Sequence, residues 1–107
     1  MKTPLPRGIR LLLDELWDVS NHAHAVPLVV LLDALGYDVE DDMKLCRDLF
    51  APLPEPAAAL REVLYGHPVD ATARDLAEFT LGSRFSRGRM RRSLRHVLLR
   101  AHEQHFS

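Results

Sequence analysis

At 107 residues the chain is one domain by length, 1–107, and long enough to bury a core without metal or disulfide support. Apolar residues make up 47% and charged residues 27%, which excludes a disordered chain, and the single cysteine, Cys46, excludes an internal disulfide and fits a reducing, cytoplasmic setting. The net charge of −1 hides a division: residues 1–80 carry 14 acidic and 7 basic side chains, whereas residues 81–107 carry 1 acidic side chain and 7 arginines.

The first segment places Ile9, Leu12, Leu13, Leu16, Trp17 and Ser20 at helical spacing, with Asp14, Glu15 and Asp18 on the opposite side. Asp14 and Glu15 interrupt its apolar run, so it does not read as a signal peptide, and nothing in the chain approaches a membrane span in length. The next segment, HAVPLVVLLDALGYD, has Pro27 as a start signal and Gly36 as a stop. It is almost wholly apolar between them, which predicts a central buried helix.

Asp38 is placed to cap a third helix, VEDDMKLCRDLF, with Val39, Met43, Cys46 and Phe50 on one face. Glu40, Asp41, Lys44 and Asp48 fall on the other face. APLPEP breaks the chain at residues 51–56, and the helix PAAALREVLY follows and stops at Gly66. HPVD reads as a loop. Thr72 and Asp75 have capping-box-like spacing before a helix through Leu76, Ala77, Thr80 and Leu81 that ends at Gly82. The last helix has Met90, Leu94, Val97, Leu98, Ala101 and His105 along one face. No strand pattern or repeat appears, so the expected fold is a compact all-α bundle of five or six short helices.

Sites for chemistry are scarce. Residues 28–50 have the outline of a helix-turn-helix, but the second helix exposes Glu40, Asp41, Asp42 and Asp48 and would repel phosphate. The six histidines do not form a metal signature and read as surface residues. Cys46 falls on an apolar stripe, as a core residue does. No phosphate-binding glycine loop and no nucleophile–base pattern is present. The expectation is a non-catalytic protein without a cofactor or metal.

The arginine-rich end is the strongest charge feature. Arg91, Arg92, Arg95 and Arg100 share the polar circumference of the last helix with His96 and His102, while Arg84, Arg87 and Arg89 lie in its lead-in and first turn. Leu99 and Phe106 stand among them. Arginine suits phosphate and carboxylate alike, so the residue type does not choose the partner.

The reading preferred on these grounds is a small protein-binding module. Its acidic faces, Asp14, Asp18, Glu40, Asp41 and Asp48, would occupy a basic cleft where phosphates otherwise sit, and so block a toxin or nuclease domain. In general character this looks like bacterial immunity proteins and antitoxins, with no motif that assigns a family. The alternative is a nucleic-acid-binding regulator that uses Arg84, Arg87, Arg91, Arg92, Arg95 and Arg100. A homodimer joining acidic and basic parts is compatible with either, and no membrane association is expected.

Overall fold

The computed structural model describes residues 1–19, 22–79 and 86–106. Among them six helices follow one another: α1 Arg7–Asp18, α2 His22–Ala34, α3 Glu40–Leu49, α4 Pro56–Leu64, α5 Val69–Phe79 and α6 Arg87–Phe106. The parts of the sequence reading that concern Ser20, Thr80, Leu81, Gly82, Arg84 and Phe85 lie outside the described residues.

The hydrophobic run of α2 sets the architecture. All eight residues from Ala25 to Leu32 are buried, so this helix needs cover on every side. It packs against α1, α3 and α4, while α6 packs against α1, α4 and α5. α4 therefore touches both long-buried helices. The core between them joins Ile9, Leu12, Leu13 and Leu16 of α1 to Leu28, Leu31 and Leu32 of α2, Leu60 and Val63 of α4, and Met90, Leu94 and Leu98 of α6. The result is nearly isotropic, 33 × 31 × 30 Å, with a radius of gyration of 12.6 Å. No helix among the described residues is long and apolar enough to cross a membrane.

Three helix starts differ from the sequence expectation. α2 begins at His22, so Pro27 lies inside the helix and not in its first turn. Packing around Ala25–Leu32 offsets the hydrogen bond that a proline ring removes. α3 is preceded by Val39, with no side-chain cap; Asp38 is drawn off instead, its N–H donating to the Thr3 carbonyl at 2.7 Å in a short bridge that pins the N-terminal segment after α2. α5 begins at Val69, inside the expected loop, and Thr72 is buried with its hydroxyl unpartnered among the described residues rather than capping. α4 ends as expected before Gly66 (φ 79°), although Tyr65 already enters the left-handed region at φ 34°.

Candidate functional sites

The acidic faces are organised by a residue that the sequence places wrongly. Asp42 is not exposed beside Glu40 and Asp41; only 7% of it is accessible. Arg10 of α1 holds its carboxylate with two bonds, Nη1 to Oδ2 at 2.6 Å and Nη2 to Oδ1 at 2.9 Å, and Trp17 Nε1 donates to Oδ1 at 3.3 Å. Burial pushes the Asp42 carboxyl up, but the Arg10 bonds and charge, with the Trp17 bond, outweigh it and hold the group below its ordinary range. The guanidinium is held charged chiefly by Asp42, with a smaller contribution from Asp14, whose Oδ1 lies 2.8 Å from Nη2.

Arg10 therefore spans both carboxylates and brings Asp14 of α1 beside the start of α3. Asp18, Glu40, Asp41 and Asp48 are exposed, and among the described residues none of them meets a cation within 4 Å. Asp14 is already neutralised in part by Arg10. The outer face of α3 also carries two leucines that the sequence reading did not single out. Leu45 is 38% and Leu49 56% exposed. They stand one helical turn apart, on the flank of Asp41 and Asp48. Spacing against the apolar stripe of Val39, Met43, Cys46 and Phe50 would have found Leu45.

The arginines divide. Arg91, Arg92 and Arg95 line a groove of about 560 Å³ between α5 and α6, with Arg74 of α5 in the facing wall. Arg87 is exposed at the start of α6, Arg100 is half-buried, and Arg84 lies outside the described residues. Arg95 Nε donates to Asp70, a direct contact between the acidic and basic parts of the chain. Phe106 does not stand alone among arginines: the Arg61 guanidinium lies 5.6 Å from its ring centroid, and the His102 ring packs at 5.4 Å.

His67, His96 and His102 are exposed, as the sequence implies, whereas His22, His24 and His105 are half-buried. His22 sits between Trp17 and Phe50, with ring centroids at 5.3 and 5.0 Å, and ties α1, α2 and the end of α3 together. His24 Nδ1 and His105 Nε2 are buried without a hydrogen-bond partner among the described residues. His24 and Thr72 share a hollow of about 300 Å³ with Tyr65, Leu76 and Phe79. Cys46 is fully buried, and burial pushes its thiol up to about 11, far from a reactive thiolate. No group of three metal-ligating side chains occurs among the described residues.

Searches against protein-family models, curated proteins and solved structures return no match to this chain.

Proposed function

We propose that this chain is a non-catalytic protein-binding module that docks through the outer face of α3. One observation carries the reading: Leu45 and Leu49 form an exposed apolar pair flanked by Asp41 and Asp48, carboxylates that meet no cation within 4 Å among the described residues. An apolar centre with a charged rim is the usual composition of a protein interface. Unpaired carboxylates on the rim favour a basic partner and speed its approach. A nucleic-acid-handling protein in the cytoplasm offers such a surface, and an inhibitor of the immunity or antitoxin kind is the class that fits. Complementarity between this face and the arginines of α6 also allows a homodimer.

The test uses the wild type and an Asp41→Lys/Asp48→Lys variant as baits in cells of the source organism, followed by titration calorimetry with each captured protein. The expected result is a basic partner that the variant binds at least tenfold more weakly, with its helical circular dichroism unchanged. Equal affinity of both baits for every captured protein would remove the proposal.

A second reading, a nucleic-acid-binding regulator, is favoured by a different feature, the gathering of three α6 arginines with Arg74 of α5 along one groove.

A further inference from the structure

We infer that the groove between α5 and α6 binds the phosphate backbone of single-stranded nucleic acid. This deepens the second reading above, on which it rests, and uses residues other than those of the α3 face.

The groove is built by two helices. Arg74 projects from α5, and Arg91, Arg92 and Arg95 from α6. Arg91 and Arg95 are separated by about 6 Å along the helix axis, and Arg92 stands beside them. Two of the four are already compensated: Arg95 by Asp70, and Arg74 by Asp75 at 3.6 Å. Arg91 and Arg92 meet no carboxylate within 4 Å among the described residues. A pair of uncompensated guanidinium groups in a concave channel is a site for an anion with several acceptor oxygens. The first turn of α5 also contributes the Asp70 carboxylate to the wall, where Arg95 neutralises it.

Size and lining choose among anions. A channel of about 560 Å³ is far larger than one phosphate ion, and its arginines stand on both walls, three on α6 and one on α5. That arrangement suits a chain of repeated anions. Among the described residues no aromatic side chain lines it, so these residues offer no platform on which bases can stack. Contact is then to the backbone alone, and binding carries no sequence preference. A flexible single strand can follow a channel between two helices, whereas a duplex presents a stiff rod to it.

The strength of the salt dependence is set by the number of arginines engaged. For single strands the slope of log K against log salt is roughly −0.7 per neutralised phosphate, so it lies between about −1.4 for Arg91 and Arg92 alone and about −2.8 for all four.

The experiment is fluorescence anisotropy with a labelled oligouridylate of about 15 nucleotides, titrated from about 20 to about 200 mM salt. A matched duplex and polyglutamate serve as competitors. Wild type is expected to bind with a slope in that range, the single strand outcompeting the duplex. Arg91→Gln/Arg92→Gln is expected to bind at least tenfold more weakly at the lowest salt, with a slope smaller by about 1.4. Arg87→Gln/Arg89→Gln removes the same charge outside the groove and is expected to behave as wild type. Circular dichroism checks that each variant folds. The inference fails if wild type does not bind at the lowest salt, or if both double variants lose affinity equally. It also fails if polyglutamate or duplex displaces the strand as well as unlabelled oligouridylate does; the polyglutamate result would make the groove a site for an acidic protein. Asp41→Lys/Asp48→Lys leaves the groove intact, so its partner binding and this binding are lost independently.

Discussion

At the side chain of Asp42, burial and pairing oppose each other, and pairing wins. Its carboxyl is depressed in the folded chain, so the unfolded chain takes up protons more readily in acid. The stability it contributes is therefore complete above the ordinary carboxylate pKa of about 3.9 and is lost as pH falls through the lower folded value. Urea midpoints measured from neutral pH downward should fall in that acid range, and Asp42→Asn should flatten the fall. Removing one partner of a buried ion pair costs about 3–5 kcal/mol, but Arg10 is over a third exposed and keeps Asp14, so Asp42→Ala is expected to cost about 2 kcal/mol by equilibrium denaturation. Thr72 is the opposite case. It is 5% exposed and its hydroxyl is unpartnered among the described residues. Thr72→Val keeps the shape and removes the orphan, and should raise stability by about 1 kcal/mol in the same measurement.

Among the elements, α3 differs from α2 in how much of its surface the fold uses. α2 is covered from Ala25 to Leu32, whereas among the residues of α3 only Asp42 and Cys46 are buried. Substitution on the outer face of α3 should therefore separate stability from binding. Leu45→Ser with Leu49→Ser is expected to lower unfolding free energy by no more than about 1 kcal/mol each, because neither side chain belongs to the core although both are partly covered. Partner affinity should fall at least tenfold, since the apolar centre of the face is gone. Loss of stability well beyond that limit would mean that α3 is held by these leucines. α6 separates the same two properties along its length: Met90, Leu94, Val97, Leu98 and Ala101 anchor it, and its arginines project from the remaining surface.

For the whole molecule, one continuous core carries stability, and it is small. A chain of this size has about 5–15 kcal/mol of net stability. Leu31→Ala, at a fully buried position of α2, should cost about 3 kcal/mol and lower the thermal midpoint accordingly. Cys46 reports on the same core. Its thiol is buried and raised to about 11, so a thiol reagent near pH 8 should react with the native chain only through opening, and at once in denaturant. Labelling as fast in the native chain as in the denatured one would contradict the burial.

Local order and pattern decided what was legible before folding. The 3.6-residue spacing of Ile9–Leu16 and Met90–Ala101, the apolar run of α2 and the breaks at APLPEP and Gly66 reveal the helices and the buried one among them, because they depend on near neighbours alone. Helix starts were less legible at His22 and Val69, where tertiary packing overrides proline and capping signals. The fate of each charge was not legible at all. Whether Asp42 is a surface carboxylate or a buried acceptor depends on Arg10, 32 residues away, and whether Arg91, Arg92 and Arg95 form a bare helix face or a groove depends on where α5 packs. Those outcomes arise from pairing between distant segments, which only the tertiary structure decides.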